Sequence, residues 1–195
     1  YTVGMDSVVP PPGSSSLPTG RFVQPGVVAS HFHLRPGDAV ADLGAGSGYF
    51  LPALSGAVGG GGKVYACEIQ KNLVETLGNV ARSKGLSQVI PLWCDLEERG
   101  GVPIADGALD TALLINTLFQ CDDKATVIAE VVRMLRNGGK LVVIDWTESF
   151  GGLGPQPGDV VPKEAAVALA TTAGLIEENS FDAGDHHYGL ALRKP

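Results

Sequence analysis

Positive charge is in short supply in this sequence. Its 195 residues carry 14 lysines and arginines against 21 aspartates and glutamates, a formal net charge of -7. Such a surface works against charge-driven binding to a phosphate backbone, so nucleic acid is not an expected partner unless a local basic patch exists. Cysteine is scarce too. Cys67, Cys94 and Cys121 form an odd set without paired spacing, which gives no disulfide framework. Buried thiols in a reducing compartment are the simpler reading, and a cytoplasmic location is expected. No apolar run approaches the roughly 20 residues of a membrane-spanning helix. No stretch reads as a signal peptide, no internal repeat is visible, and no P-loop lysine follows a glycine-rich turn.

What is present suits a folded domain. Apolar residues make up 44% of the chain and charged residues 18%, enough to build a core. Residues 1–20 are rich in Pro, Gly and Ser and read as an extended arm, with one domain over residues 21–195. A short helix is expected near residues 24–38, with Val27, Val28, His31 and Phe32 on its inner face. His31 and His33 are two apart, on different faces, so they do not read as a ligand pair.

From residue 39 strands and helices alternate. Strands are expected at 39–44, 63–69, 88–94, 110–119 and 140–146. Helices are expected at 48–58, 72–85, 122–139 and 162–174. Capping residues support several of these: Asp122 or Asp123 opens the third of these helices, Gly138 or Gly139 closes it, and Gly85 follows the second. Apolar strands alternating with helices of this length predict a parallel sheet covered on both faces. The last two strands, 175–183 and 186–194, lie too close in sequence for a parallel crossover and must form an antiparallel hairpin. The fold class is therefore α/β: a Rossmann-like, doubly wound, seven-stranded sheet, mostly parallel, with an antiparallel last strand.

The stretch "VADLGAGSGYF", Val40–Phe50, carries the functional signal. Gly44, Gly46 and Gly48 follow an apolar strand directly. In such sheets ligands bind outside the carboxyl ends of the strands, and glycine lets backbone approach them closely. The spacing is G-x-G-x-G; Tyr49 stands where a dinucleotide motif has its third glycine. Glu68 ends the second strand, placed to accept hydrogen bonds from a ribose diol.

These stretches together resemble the class I methyltransferases that use S-adenosylmethionine, over about residues 35–195. "VADLGAGSGYF" is similar to their glycine-rich motif, "VYACEI" to their acidic second-strand motif, "LWCDLEE" to the third-strand motif, and "MLRNGGKLVVIDW" to the turn into the fifth strand. "VIAEVVRMLRNGGKLVVIDW" and "HHYGLALRK" further resemble the small enzymes of the ubiquinone and menaquinone biosynthesis type. The resemblance implies S-adenosylmethionine as cofactor, S-adenosylhomocysteine as product, no metal, and a small-molecule methyl acceptor. It implies that Glu68 meets the ribose and that Gly44, Ala45 and Gly46 lie under the ribose and methionine. Asp42 would organise the loop and reach the amino group. Asp95 would accept from the adenine amine between Ile69 and Leu96, and Asn116 would lie by the methionine.

Such a cofactor needs no basic clamp, because it has no phosphate, and its positive sulfonium and ammonium favour carboxylates. No universal catalytic residue follows, since methyl transfer needs a base only when the acceptor must lose a proton. The start of the reversed strand lies at the cofactor edge of the sheet. That makes His187, Tyr188 and Asp145 the catalytic candidates, with His186 and Trp146 beside them. His186 and His187 face opposite ways and do not read as a metal pair. Adenine and glutamine amino methyltransferases carry Asn-Pro-Pro-Tyr where this chain has Asn116-Thr117-Leu118-Phe119, and Cys121 does not follow a proline as in cytosine C5 enzymes. A protein or RNA acceptor, or a module that binds the cofactor without catalysis, are the other readings.

Overall fold

The computed structural model describes residues 23–150, 152 and 154–195. The expected arm over residues 1–20 lies outside the described residues. Seven strands form one sheet in the order β3-β2-β1-β4-β5-β7-β6. They are β1 (Ala39–Leu43), β2 (Lys63–Glu68), β3 (Val89–Trp93), β4 (Leu109–Ile115), β5 (Leu135–Trp146), β6 (Ile176–Asp182) and β7 (His187–Arg193). All neighbouring pairs from β3 to β5 are parallel, and β7 runs against both β5 and β6. This is the doubly wound sheet with one reversed strand that the sequence predicts.

The helices are α1 (Pro25–Val28), α2 (Leu51–Val58), α3 (Lys71–Ser83), α4 (Lys124–Met134) and α5 (Lys163–Thr172). Strand residues alternate between two separate cores. Ala41, Leu43, Leu114, Val143 and Leu190 pack towards α4 and α5. Val40, Val64, Leu113, Val142 and Ile144 pack towards α1, α2 and α3. A central strand that is apolar at every position is thus used on both faces.

Local chemistry sets several boundaries. The Asp123 side chain accepts from Thr126 N at 3.0 Å and caps α4. Gly85, at φ +64°, follows the end of α3. Three expectations need correction. The helix expected over 122–139 ends at Met134, and Leu135 already pairs with Leu109, so β5 begins five residues before Lys140. That early part is irregular, with a register shift between Leu109 and Thr111 and Gly138 at φ +74°. The fourth strand stops at Ile115 rather than Phe119. Asn116 turns the chain at φ +54°, and Leu118–Gln120 form a 3-10 turn. Val27, expected inside, is 62% exposed, while Val28 and Phe32 are buried and His31 stacks on Phe181 at 4.2 Å.

The connection from β3 to β4 crosses the sheet without a helix. Arg133 of α4 holds it instead. Its guanidinium donates to Val102 O, Ile104 O and the Asp106 carboxylate, and it pairs with Glu130, which also accepts from Gly100 N. A cation satisfied by several carbonyls does here what helix packing does in the other crossovers.

Candidate cofactor site

The carboxyl ends of β1 to β4 surround a cavity of about 430 Å³, a size typical of small-molecule sites. Its lining includes Gly44 and Gly46 from the loop after β1, Glu68, Ile69 and Gln70 after β2, and Asp95, Leu96 and Glu97 after β3. Thr117, Gln120 and Cys121 close it from the turn after β4.

The glycine loop is tied across β2. The N–H groups of Gly44 and Ala45 both donate to Cys67 O at 2.9 Å. Gly44 sits at φ +83°, and a Cβ there would come within 2.6 Å of Thr117 Oγ1. Thr117 is itself fixed, its hydroxyl lying 3.0 Å from Leu43 O and 3.1 Å from Ile115 O. The loop and the β4 turn therefore meet without room for a side chain.

Glu68 is buried and committed to backbone. Its Oε2 accepts from Gly46 N at 3.0 Å, and its Oε1 accepts from Ile69 N at 2.9 Å and Gln70 N at 3.0 Å. One carboxylate thus joins the glycine loop to the segment after β2, with its oxygens at the cavity wall. Asp42 lies beneath the same loop. Burial, reinforced by the charge of Glu68, pushes its carboxyl up to about 7. Asp95 Oδ1 accepts from Glu97 N, which shapes the turn after β3.

The sequence-derived set divides cleanly. Gly44, Gly46, Glu68, Ile69, Asp95 and Leu96 line the cavity together. Asp42, Ala45 and Asn116 stand just behind its lining. Ala45 is buried in the loop, and Asn116 holds the β4 turn through its N–H to Ile144 O at 2.8 Å. The Asn116 Oδ1 is buried without a hydrogen-bond partner among the described residues.

Several contributors escaped sequence reasoning. Cys67, on β2, and Cys94, just past the end of β3, share a side-chain hydrogen bond, which with burial raises the Cys67 thiol well above the usual thiol range. Cys121 is pushed up to about 11, chiefly by burial. All three cysteines line this cavity, and all three are free and buried. Trp93 donates from its indole to Ile69 O at 2.7 Å, and Lys71 lies 5.7 Å from its ring, bracing the mouth. Neighbouring-strand register is the signal that joins Cys67 to Cys94, and it exists only once β2 is paired with β3.

The catalytic candidates lie one strand further along the same edge. Trp146 pairs with His187 and Asp145 with Tyr188 across β5 and β7. Asp145 is fully buried. Burial raises its carboxyl to about 6, against hydrogen bonds from the N–H groups of Trp146, Phe119 and Leu118. The Tyr188 hydroxyl donates to Val161 O at 3.0 Å, and burial raises it far above its ordinary value. Both groups are thus engaged in holding structure. His187 keeps one ring nitrogen, Nε2, buried and without a hydrogen-bond partner among the described residues. Among the described residues no group of three or more His, Cys, Asp or Glu side chains is arranged to hold a metal ion.

A doubly wound sheet with a reversed β7, a glycine loop over β2 and a carboxylate at the end of that strand define a class I S-adenosylmethionine-dependent methyltransferase fold. The chain belongs to the family of methyltransferase domains, whose pattern matches residues 41–143, more than half of its length. The solved S-adenosylmethionine-dependent methyltransferase from Aquifex aeolicus superposes with a TM-score of 0.80 at 26% identity, covering 88% of this chain and 89% of the other. A 2-phytyl-1,4-naphtoquinone methyltransferase of Synechococcus elongatus is 29% identical over 169 residues, which cover 81% of this chain and 70% of the relative. The ubiquinone/menaquinone biosynthesis C-methyltransferase UbiE of Burkholderia mallei is 28% identical over 117 residues, 60% of this chain and 46% of the relative. An uncharacterized 37.1 kDa transposon protein of Streptomyces fradiae is 34% identical over 114 residues, 57% of this chain and 32% of the relative. The matched stretches therefore span from about a third to 70% of the length of these curated relatives.

Proposed function

We propose that the chain transfers a methyl group from S-adenosylmethionine to a small acceptor that carries a hydroxylated aromatic ring. The observation that carries the cofactor assignment is the Glu68 carboxylate, held at the cavity wall by three backbone N–H groups. The donor set suits this cofactor. Glu68, Asp95 and Glu97 line the cavity and, among the described residues, no lysine or arginine does, which fits a cationic ligand without phosphate. Asn116 Oδ1, buried and without a partner among the described residues, is an acceptor suited to the methionine ammonium.

In this reading Glu68 accepts from the ribose hydroxyls, Gly44 and Gly46 admit the sugar and methionine, and Ile69 and Leu96 flank the adenine, whose amine meets Asp95. Asp42 and Ala45 support the loop from behind. When bound, the cofactor supplies a methyl group on a sulfonium, a good leaving group. The protein's own work is alignment and exclusion of water. The acceptor class is supported by the quinone methyltransferases among the relatives.

Calorimetric titration with S-adenosylhomocysteine and with NAD tests the cofactor. S-adenosylhomocysteine should bind and NAD should not bind comparably; the opposite order overturns the assignment. Hydrogen bonds to a charged group contribute roughly 1.5–3 kcal/mol, so Glu68→Ala should weaken S-adenosylhomocysteine binding by about 10- to 150-fold. Glu68→Gln should fall between, keeping one acceptor oxygen but losing charge. Wild-type affinity in Glu68→Ala would mean the ribose lies elsewhere.

A further inference from the structure

Two buried side-chain atoms lack a hydrogen-bond partner among the described residues: Asn116 Oδ1 and His187 Nε2. Both lie at the carboxyl edge of the parallel strands, and they flank the end of β5. Asn116 follows β4 and bonds to Ile144, while His187 pairs with Trp146 on β5's other side. A buried polar atom left unpaired costs about 1–3 kcal/mol. Native structures seldom carry such an atom without a use for it.

The state of the His187 ring follows from its surroundings. Nδ1 lies 2.9 Å from Asp185 O, and a carbonyl can only accept, so Nδ1 carries the proton. In the neutral ring Nε2 is then a lone pair. Burial lowers the ring's proton affinity below that of an exposed histidine, which keeps that lone pair available at neutral pH. The Trp146 indole packs on the ring at 4.2 Å, and Gly154 sits against the indole so closely that a Cβ would lie 2.5 Å from it. His186, next in sequence, stacks on Phe150 at 3.8 Å and bonds Glu148 at 2.7 Å. The surroundings are aromatic, and Nε2 is a buried hydrogen-bond acceptor with no donor among the described residues.

We propose that His187 Nε2 receives a ring hydroxyl of the methyl acceptor and takes its proton during transfer. The proposal rests on the methyltransferase reading above and adds the acceptor's side of the reaction. His187 stands two strand spacings, about 10 Å, along the sheet edge from β4, whose turn supplies Thr117 and Gln120 to the cofactor cavity. A flat ring system can bridge that span, with its hydroxyl at His187 and its reacting carbon towards the cavity.

The step balances. The hydroxyl proton moves to Nε2, and the oxygen's electron pair is delivered through the ring to a carbon. That carbon forms a bond to the methyl group as the methyl–sulfur bond breaks, and the bonding pair stays on sulfur. The methylated carbon then loses its hydrogen as a proton to solvent, and the imidazolium returns a proton to the ring oxygen. The net products are the methylated ring, S-adenosylhomocysteine and one proton.

Long-range proton–nitrogen spectra of the full chain, uniformly labelled with nitrogen-15, test this. The chain has four histidines, and His187→Gln assigns the signal. Wild-type His187 should show the Nδ1–H tautomer. With S-adenosylhomocysteine present, 2-methyl-1,4-naphthohydroquinone should shift the Nε2 resonance and its dimethyl ether should not. With S-adenosylmethionine, wild-type protein should methylate the hydroquinone. His187→Gln should turn over about 100-fold or more slowly, in the range of a lost general base, with S-adenosylhomocysteine affinity within about twofold. An Nε2–H tautomer, a resonance indifferent to the hydroquinone, no methylation by wild type, or retained turnover in the variant each overturns the proposal. The tautomer and the resonance need only wild-type protein, so a variant that fails to fold leaves both decisive. Failure to bind S-adenosylhomocysteine overturns the cofactor reading and this proposal together. Binding with a silent His187 overturns the proposal alone.

Discussion

Asp42 holds a carboxyl that is buried on β1 and raised from 3.8 to about 7, first by burial and then by the Glu68 charge. The folded state therefore keeps a proton that the unfolded chain gives up near pH 4. Between about pH 4 and 7 the native state binds more protons, so this residue makes stability fall as pH rises and levels off above 7. Each pKa unit corresponds to about 1.4 kcal/mol, which puts the full effect at a few kcal/mol. Asp42→Asn removes the ionisation, so it should raise the melting temperature at pH 8 more than at pH 5. Thermal melts at the two values check this, and an equal shift at both would show that Asp42 is not protonated in the folded state. At this scale the site was partly legible in the sequence. Gly44, Gly46, Glu68 and Asp95 announce themselves because a close backbone turn and a strand-end carboxylate leave a pattern in nearby residues. Thr117, Gln120 and the three cysteines do not. They reach the cavity through strand register and through the 3-10 turn, neither of which is local in sequence.

The loop after β1 and the turn after β4 work as one unit, because Gly44 lies directly against Thr117. Gly44→Ala adds a methyl group at φ +83° into the Thr117 hydroxyl and methyl. Backbone strain and overpacking together should cost about 2–4 kcal/mol, seen as a fall of roughly 5–15 °C in the melting temperature for a chain of this size. Thr117→Ala should lessen the added cost of Gly44→Ala, so the double variant should be more stable than the sum of the two predicts. Strict additivity in the melts would place the loop away from Thr117. The elements themselves were mostly readable: β1, β2, β3, β6, β7, α3 and α5 agree with their patterns to within about two residues. The misreadings share one cause. The apolar pattern runs on past Ile115 and Met134, whereas the chain turns at Asn116 and pairs Leu135 with Leu109 for tertiary reasons. The crossover from β3 to β4 likewise depends on Arg133, whose partners lie some 30 residues away.

Across the whole molecule, two cores separated by the sheet leave the cavity at the strand ends as the place where both faces meet. Among the described residues no helix is long and apolar enough to cross a membrane. The reversed β7 brings His187 to the same edge as the glycine loop, so the proposed cofactor and acceptor residues share one rim although they are more than a hundred positions apart. The thiols around the cavity turn this geometry into a built-in reporter. Cys67, Cys94 and Cys121 are the chain's full complement of cysteine, and all three line the one cavity with little or no exposure. An alkylating reagent such as iodoacetamide can therefore label the native chain only through that space, and slowly at Cys67 and Cys121, whose thiols are held protonated there. Mass addition over time counts how often the rim of the empty cavity opens. Saturating S-adenosylhomocysteine should slow Cys121 labelling several-fold while leaving the unfolded chain's rate unchanged. A labelling clock indifferent to that ligand would put it outside the space these three sulfurs share.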